Sequence, residues 1–459
     1  MATVTLAGVE DLQAQVHGDV ITSDGARYDE ARKVYNAMID KRPALVVSCR
    51  DVADVQAALA FGRANGLDIA VRGGGHNGAG FGTVDGGLVI DLSPMRWTRV
   101  DPTARTAQIG GGSTMGDVDH ATHGFGLATP VGVISTTGVG LMLGGGVGNL
   151  SRKHGLAIDN IVSADVVLAD GSFVRADENE NADLLWAIRG GGGNFGVVTS
   201  LTSNLHPVST VVAGPIIWPL DQAAEVLAWY REFLPAQPDE VNGFFAFLTV
   251  PPGPPFPEEL HMQKVCAVLW CIDGSAADAD AALAPARKVG KPALDGVMEL
   301  PLPAWNSAFD GLFPPGDQWY WRGDYVAEIP DAAIEVHVEF GKTLPSWKSL
   351  MHLYPSDGAA ARVAADATPW AYRDAKWTAV IAGVDPDPAN ADALRSWTID
   401  YFDALQPYSM GGSYVNFMME EGQERVQATY GSNYARLAEI KSKYDPDNVF
   451  HVNQNIKPA

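Results

Sequence analysis

A single histidine stands in a run of glycines in the first hundred residues of the chain. The stretch reads "VRGGGHNGAG", residues 71–80, and the histidine is His76. Glycine lets a backbone turn sharply and approach a ligand closely, and a neutral imidazole is a nucleophile. These residue types indicate a ring that meets a ligand and is suited to covalent attachment of a cofactor. The alternative is an ordinary turn, where histidine tolerates unusual backbone angles.

The same stretch also spells G-x-G-x-x-G, through Gly73, Gly75 and Gly78. That pattern binds dinucleotides only where a helix follows the glycines directly. Here a turn signal at residues 85–86 and a strand, "GLVIDL", come next. We therefore interpret the match as accidental, together with a second one at residues 191–196.

Glycine-rich loops recur beside predicted strands, at residues 73–80, 110–112, 132–148 and 190–196. Successive N–H groups in such loops form concave sites for anions. One such loop alone would more often be a tight turn, but four within about 125 residues predict a large planar or phosphate-bearing ligand.

The elements around His76 follow from hydrophobic patterning. Residues 44–49 read as a strand, 51–66 as a helix capped by Asp51, and 68–73 as a second strand. This β-α-β unit ends at the histidine loop. Residues 1–40 read as helical with some loop, and from about 210 to 400 the composition shifts toward Trp, Pro and Ala, which indicates a second domain of mixed α and β structure.

The bulk properties restrict the partners. The chain has 459 residues, 46% of them hydrophobic, and a formal net charge of -23. Two or three folded domains are expected, and the negative field makes nucleic acid and anionic membranes poor partners. Three cysteines without a C-x-x-C pair are predicted to be core residues, and no metal site is predicted. No signal peptide or spanning segment is seen, so we expect a cytoplasmic protein, with the oligomeric state (monomer or homodimer) left open.

Longer stretches carry a family resemblance. "PALVVSCRDVADVQAALAFGRANGLDIAVRGGGHNGAGFGTVDGGLVIDLSPM", "GGGGNFGVVTSLTSNLHPV", "YVNF" and "YDPDNVFHVNQNIKP" resemble the berberine-bridge-enzyme-like FAD-linked oxidases of the vanillyl-alcohol-oxidase superfamily. The resemblance implies an α+β, two-domain, PCMH-type FAD-binding fold. Residues 1–210 and 405–459 would form the FAD-binding domain, and residues 211–404 a substrate-binding domain of antiparallel sheet covered by helices.

The resemblance implies FAD as cofactor, with a ring nitrogen of His76 bonded to the flavin 8α-methyl group. It also implies a set of cofactor-binding residues from four loops and the C-terminal tail: Arg72, Gly73, Gly74, Gly75, Asn77, Gly78, Gly111, Gly112, Ser113, Thr114, Thr129, Gly132, Val133, Ile134, Thr136, Thr137, Gly138, Gly145, Gly148, Asn149, Gly191, Gly196, Val198, Tyr414, Asn416, Asn453 and Asn455. For Asn453 and Asn455 a hydrogen-bonded terminus is an equal alternative.

One departure from the family concerns the second covalent bond that many members form through a cysteine. The matching position here is Ile134, or Val133 if the gap falls differently, and neither is a thiol. A single histidyl link and no cysteinyl link is therefore expected. In the same loop Thr137 matches the oxygen gate of the family, and its modest size favours access of O2.

A second departure concerns the catalytic base. Many relatives carry Y-x-N-Y and use the last tyrosine, whereas this chain has Tyr414-Val415-Asn416-Phe417. Tyr414 remains a candidate, although a structural role is favoured for it. The other candidates are His352 and Tyr354, which are two positions apart on one strand and so share a face, and Tyr372. A neutral amine substrate would need no strong base.

The pocket is expected to include Trp319 and Trp321, which share one face of the strand "QWYWRGDY", and Phe417. The function that the resemblance implies is an FAD-dependent oxidase. It would transfer a hydride from a small-molecule alcohol, a secondary metabolite or sugar, to flavin N5, with O2 as acceptor and H2O2 as product. The alternatives are an amine oxidase of the hydroxynicotine-oxidase type, a flavin dehydrogenase and a non-catalytic flavin-binding protein.

Overall fold

The computed structural model describes residues 7–459, and within them three sheets organise the chain. The first sheet has four strands in the order β1-β2-β4-β3. They are β1 (Asp19–Thr22), β2 (Leu45–Ser48), β3 (Ile69–Arg72) and β4 (Leu88–Asp91), and they accompany helices α1 (Val9–Gln15), α2 (Tyr28–Ala31) and α3 (Val52–Ala64). The strands β2, β4 and β3 are parallel, and β1 is antiparallel to β2.

The second sheet of the described chain has five antiparallel strands in the order β5-β6-β9-β7-β8. They are β5 (Thr98–Asp101), β6 (Thr106–Gly110), β7 (Ile161–Val167), β8 (Phe173–Ala176) and β9 (Val197–Asn204). The helices between them are α4 (Met115–His123), α5 (Val139–Leu143), α6 (Ser151–His154), α7 (Ala157–Asn160) and α8 (Ala182–Gly191).

The third sheet is antiparallel and, within residues 7–459, has eight strands in the order β13-β10-β12-β11-β16-β17-β15, with β14 beside β10. They are β10 (Thr210–Pro219), β11 (Val241–Thr249), β12 (Lys264–Ile272), β13 (Leu294–Asp295), β14 (Met298–Pro301), β15 (Gln318–Val326), β16 (Leu350–Pro355) and β17 (Trp377–Asp385). Its helices are α9 (Ala223–Phe233), α10 (Ala276–Leu283), α11 (Leu302–Asn306), α12 (Asp331–Lys342) and α13 (Ala391–Leu405). The chain ends with α14 (Gln423–Tyr430) and α15 (Tyr434–Tyr444).

The two faces of the third sheet have different neighbours. Along β11, Phe245 and Phe247 belong to the apolar cluster formed with α9, α12 and α13. Phe244 and Ala246 point to the opposite face, because side chains alternate along a strand. The helices therefore cover one face, and the other face is left to line a cavity.

The C-terminal segment packs onto the first domain. Lys441 is fully buried and donates to the carboxylate of Asp445 (2.6 Å) and to the carbonyls of Asn194 (2.6 Å) and Phe450 (2.9 Å). Asn194 also accepts from the backbone N–H of Ile456. The tail and the glycine turn before β9 are thus joined by buried, fully paired polar groups, which are costly to break.

The β-α-β unit that precedes His76 is confirmed. Asp51 caps α3 by accepting from the N–H of Asp54 (3.0 Å), and no helix follows Gly78, because the chain goes through turns directly into β4. The prediction of a helical N-terminal segment was wrong in part. The β-branched run Val20–Thr22 forms β1 and pairs with β2, while residues 1–6 lie outside the described residues.

The α+β class is confirmed, and the domain boundaries at 210 and 404 stay a prediction. The third sheet begins at Thr210 and ends at Asp385. Among residues 7–459, none of the helices is both long enough and apolar enough to cross a bilayer.

Candidate active site

A cavity of about 440 Å³ lies between the glycine-rich loops and the uncovered face of the third sheet. It brings together residues from four of the predicted loops and from the C-terminal tail. Those predicted cofactor-binding residues that line it are Arg72, Gly73, Gly74, Gly75, His76, Asn77, Gly111, Gly132, Val133, Ile134, Thr137, Gly138, Gly196, Val198, Tyr414, Asn416 and Asn453.

The histidine loop presents unpaired backbone donors to this cavity. The N–H groups of residues 73–77 make no hydrogen bond to any other group within residues 7–459. Residues 73–77 are half-buried or, at Gly74, exposed, so these donors are open to water or to a ligand at the cavity wall. Consecutive N–H groups of this kind suit a phosphate or pyrophosphate.

His76 lies with its ring face against Tyr35. The ring centroids are 3.8 Å apart and the planes differ by 22°. Burial lowers the pKa of His76 to about 4, so the imidazole is neutral at pH 7 and keeps a free lone pair. Sequence reasoning missed Tyr35, because it lies in a segment without motif or periodicity that could have singled it out.

Arg72 supports the loop from beneath. Its guanidinium binds the carboxylate of Asp91 through two nitrogens (3.3 and 3.0 Å) and donates to the carbonyl of Lys33 (3.1 Å). Since these partners occupy the side chain, we assign it to holding β3 and the loop in place.

An aromatic wall closes the cavity opposite the loops. Trp319 and Trp321 lie on the inner face of β15 with their centroids 5.6 Å apart, as the strand alternation predicts. Sequence reasoning missed further lining aromatic residues from inward positions of neighbouring strands and loops, namely Phe244, Phe256, Phe309 and Phe313. Alternation along β11 could have suggested Phe244, but not which of the two faces is inner.

His352 and Tyr354 both line the cavity from β16. The Nδ1 of His352 and the hydroxyl of Tyr354 are 2.7 Å apart, with the proton's position set by the histidine tautomer. Burial lowers the pKa of His352 to about 3 and raises that of Tyr354. Phe417 stacks on Tyr354, with centroids 6.0 Å apart and planes differing by 25°. This end of the cavity is therefore uncharged at pH 7.

Tyr414 lines the cavity, but its hydroxyl accepts from the N–H of Gly146 (2.9 Å) and from the amide of Asn416 (2.7 Å). Burial raises its pKa. A protonated tyrosine in this position holds the glycine loop before α6, and this geometry favours the structural role.

Tyr372 does not line the cavity, which corrects its selection as a candidate base. Its hydroxyl donates to the carbonyl of Ala428 (2.7 Å) and its ring stacks on Tyr325 at 4.6 Å. No sequence pattern around Tyr372 indicates that this tyrosine packs between β15 and α14.

Several predicted cofactor-binding residues also lie behind the walls and not in them. Three of the polar ones have structural partners: Ser113 bonds to the backbone of Trp97, Thr114 caps α4, and Thr129 bonds to Ser203 (2.8 Å). The others that do not line the cavity are Gly78, Gly112, Thr136, Gly145, Gly148, Asn149, Gly191 and Asn455. These eleven residues lie outside the lining, and their assignment to cofactor binding stays a prediction.

The supporting glycines make close contacts that a side chain would block. A Cβ on Gly78 would lie 2.4 Å from the Trp321 ring, and one on Gly148 would lie 1.9 Å from the carbonyl oxygen of Val131. Asn149 instead donates to Asn306 (2.8 Å), which donates to Asp119 (2.9 Å). These residues determine the shape of the cavity from one layer further out.

A buried ion pair lies at the cavity wall. Lys348 lines the cavity and pairs with Asp317 at 2.5 Å, with both side chains buried. The three cysteines are buried and none lines the cavity, whereas Ile134 does. The described lining thus includes the imidazole of His76 and no thiol.

Comparison with known proteins identifies the family. Residues 43–177 match the family model "FAD binding domain", and residues 413–457 match "Berberine and berberine like". An FAD-linked oxidoreductase of Dictyostelium discoideum is 30% identical over 98% of this chain and 97% of its own length.

Two solved structures are similar over nearly the whole length. The 6-hydroxy-D-nicotine oxidase of Arthrobacter nicotinovorans has a TM-score of 0.85 and 28% identity over 97% of this chain and 98% of its own. The xylooligosaccharide oxidase of Myceliophthora thermophila, solved with xylobiose, has a TM-score of 0.84 and 23% identity over 99% and 100%. The second likeness supports the fold alone.

The residues present fit FAD. The free N–H groups of residues 73–77 suit its pyrophosphate, and the aromatic and aliphatic walls suit a planar ring system. The side-chain oxygen of Asn453, on a residue that lines the cavity, is buried without a hydrogen-bond partner within residues 7–459, so a polar group of a ligand can satisfy it. With the two-domain PCMH-type FAD-binding fold, this site and these matches, the chain belongs to the berberine-bridge-enzyme-like family of FAD-linked oxidoreductases.

Proposed function

We propose that the protein is an FAD-dependent oxidase of a small, largely apolar amine, which it oxidises at the carbon next to a neutral nitrogen. The observation that carries this proposal is that the described lining contains no carboxylate and no ionised tyrosine that could act as a base near pH 7. Phe417 stands at the position of the family tyrosine, burial keeps Tyr354 protonated, and the neutral imidazole of His352, whose pKa burial lowers to about 3, is a weak base.

A neutral amine suits such a site because its own lone pair assists departure of the hydride. An alcohol must lose its hydroxyl proton as the hydride leaves, and this needs a base of suitable pKa. The likeness to a hydroxynicotine oxidase at 28% identity supports the amine, and the aromatic wall supports a flat, apolar substrate with few hydroxyl groups.

Bound FAD would supply the redox chemistry, a two-electron oxidation of the substrate with O2 as final acceptor and H2O2 as product. The loop of residues 73–77 would hold the pyrophosphate, and Gly196 and Val198 the adenosine end. Trp319, Trp321 and Phe417 would hold the substrate and exclude water. Water exclusion strengthens each polar contact in the site.

The cofactor is proposed to be covalently anchored through His76 alone. Three observations support this: the His76 ring is neutral at pH 7 because burial lowers its pKa to about 4, the ring lies in the cavity wall, and Ile134 stands in place of a cysteine. A single anchor at one edge of the flavin leaves the rest of the ring bound by packing and hydrogen bonds.

O2 is the proposed acceptor. Thr137 lines the cavity, and its hydroxyl donates to the carbonyl of Ile134 (2.8 Å), so the side chain presents its methyl group and little bulk. A small side chain whose hydroxyl is already hydrogen-bonded within its own loop leaves room for O2.

Alcohol oxidation is the second candidate, favoured by one observation. The Nε2 of His352 has no hydrogen-bond partner within residues 7–459, and the residue lines the cavity. A neutral imidazole with a free nitrogen can accept a hydroxyl proton, although burial makes it a weak base.

The deciding experiment uses the purified flavoprotein under argon. It is mixed with matched pairs of aromatic compounds that bear either an amine or a hydroxyl group on the same benzylic carbon, and bleaching of the flavin band is followed. We expect bleaching with the amines, and H2O2 once air is admitted. Bleaching by the alcohols alone would replace the amine assignment by the alcohol one. Bleaching without peroxide would indicate a dehydrogenase, and no bleaching by any compound a non-catalytic flavin-binding protein.

A further inference from the structure

The loop around His76 does not by itself fix the direction of the imidazole ring. Gly74 and Gly75 precede the histidine and Gly78 follows it closely, and glycine gives a backbone its widest conformational freedom. A ring on such a loop needs contacts from outside the loop to hold one orientation.

Tyr35 supplies the contact to the ring face. It is 7% exposed, stacks on His76 at 3.8 Å, and donates its hydroxyl proton to the carbonyl of Phe313 (2.5 Å). Its backbone N–H donates to the carbonyl of Gly75 (3.1 Å), and its carbonyl accepts from Gly316 (3.1 Å). Side chain and backbone of Tyr35 are thus both fixed, and one of the bonds reaches the residue next to His76.

Asn36 ties the other end of the loop to the aromatic wall. Its side chain is 1% exposed and donates to the carbonyls of Gly78 (2.8 Å) and Trp319 (2.9 Å). Its Oδ1 accepts from the N–H groups of Trp319 (3.0 Å) and Met38 (3.0 Å). Every donor and acceptor of this amide is used, so the position of the loop relative to β15 is closely determined.

We propose that Tyr35 and Asn36 are positioning residues for His76, a proposal that rests on the proposed covalent anchor. Tyr35 holds the ring face so that the ring edge, which carries the nitrogens, is directed along the cavity wall. Asn36 keeps the anchor at a constant distance from Trp319 on the substrate wall. The pair therefore determines how fast the covalent bond forms and how the flavin is placed against the substrate.

Orientation matters because bond formation has strict geometry. The bond joins an imidazole nitrogen to the flavin 8-methyl carbon, and one proton leaves the methyl group and one leaves the imidazole. The electron pair of the broken C–H bond is finally taken by O2, which becomes H2O2. A displacement of about 1 Å can slow such a reaction by about a hundredfold.

The test measures the rate of covalent attachment in the full-length protein supplied with FAD, from the flavin that stays with acid-precipitated protein. Tyr35→Leu removes the aromatic ring, and Tyr35→Phe keeps it and removes only the bond to Phe313. We expect attachment to slow by about tenfold to a hundredfold in Y35L and to change by less than about threefold in Y35F. Attachment at the wild-type rate in Y35L would overturn the proposal.

Tyr28 provides a matched control. It is 3% exposed, belongs to the same N-terminal segment, and donates its hydroxyl proton to the carbonyl of Pro43 (2.6 Å), but it does not line the cavity. Tyr28→Leu should attach flavin at the wild-type rate. An equal loss in Y28L and Y35L would mean that the segment acts only through stability, which would also contradict the proposal.

A second measurement separates this proposal from the anchor itself. Protein loaded with 8-demethyl-FAD, which cannot form the bond, is studied by NMR with labelled histidine. We expect one sharp set of His76 ring signals in the wild type and in Y35F, and several or broadened sets in Y35L and in Asn36→Ala. If the wild-type protein releases all natural flavin in acid while these spectra behave as expected, the anchor assignment fails and the positioning role stands. Unchanged spectra in both Y35L and N36A would refute the positioning role.

Discussion

Gly74 and Gly138 pass each other backbone to backbone where the histidine loop meets the loop before α5. A Cβ on Gly74 would lie 2.7 Å from the amide nitrogen of Gly138, and a Cβ on Gly138 would lie 2.6 Å from the amide nitrogen of Gly74. Neither position has room for a side chain. Both residues line the cavity, so two of its walls meet at a backbone contact that only glycine allows.

Gly138→Ala should therefore destabilise the protein and weaken FAD binding. Inserting a methyl group into a packed position costs about 1–3 kcal/mol of unfolding free energy, measured by urea unfolding. Gly140→Ala is the control, because a Cβ there meets nothing within 4 Å and the residue is helical. G140A should be neutral or slightly stabilising. Equal destabilisation by the two variants would show that the close contact between Gly138 and Gly74 is not the cause of the lost stability.

His76→Ala should release all flavin when the protein is precipitated in acid. The folded H76A variant should still bind FAD, but without a covalent bond. The N–H groups of residues 73–77 and the apolar walls do not depend on the imidazole. The measurement is the flavin absorbance of supernatant and pellet. His120→Ala, at an exposed position of α4, should keep its flavin in the pellet. Flavin that stays with H76A would mean that another residue is the anchor.

The pH dependence of amine oxidation should follow the substrate and not the enzyme. The pKa of His352 is lowered to about 3 and those of Tyr354 and Tyr414 are raised, so none of the three changes charge between about pH 5 and 9. We expect kcat/KM to rise with pH up to the pKa of the free amine and to stay level above it. Two amines of different pKa should shift the curve accordingly. If kcat/KM instead rises at the same pH for both amines, a base of the enzyme is titrating.

His352→Gln distinguishes the two candidate reactions. If the substrate is a neutral amine, the variant should oxidise it within a few-fold of the wild-type rate, because no proton is transferred to the imidazole. If His352 accepts a hydroxyl proton, kcat should fall by about 10²–10⁴-fold. Rapid anaerobic mixing measures the rate of flavin bleaching directly, without the oxygen step.

Buried His337 should make the protein less stable in acid. It is 2% exposed, and burial lowers its pKa to about 3 from an unfolded value of about 6.5. The unfolded chain binds the proton more readily, so the contribution is complete above about pH 6.5 and is lost at about 1.4 kcal/mol per pH unit below it. In His337→Gln, the fall of unfolding free energy between about pH 6 and 4 should be shallower by that amount.

Much of the frame of the site could be predicted from the sequence. Asp51 begins α3, the turn at residues 85–86 leads into β4, and the loop of His76 follows β3 without a helix. These features depend on short-range signals such as caps, turns and alternation, which the sequence displays directly.

The contacts that complete the site could not be predicted in this way. Tyr35 and Asn36 act across long separations, on Phe313 and Trp319, and their own segment has no periodic pattern. Thr129 and Asn149 lie in the predicted cofactor loop, yet they bond to Ser203 and Asn306. Proximity to a motif in sequence does not say which way a side chain points.

The C-terminal tail supplies the last part of the cavity wall along the chain. Asn453 lines the same cavity as His76, and buried Lys441 joins the tail to the turn at Asn194. During synthesis the histidine loop leaves the ribosome long before Asn453 does, so this cavity is complete only after Asn453 has emerged. A nascent chain with its first sheet already folded would still lack part of the wall.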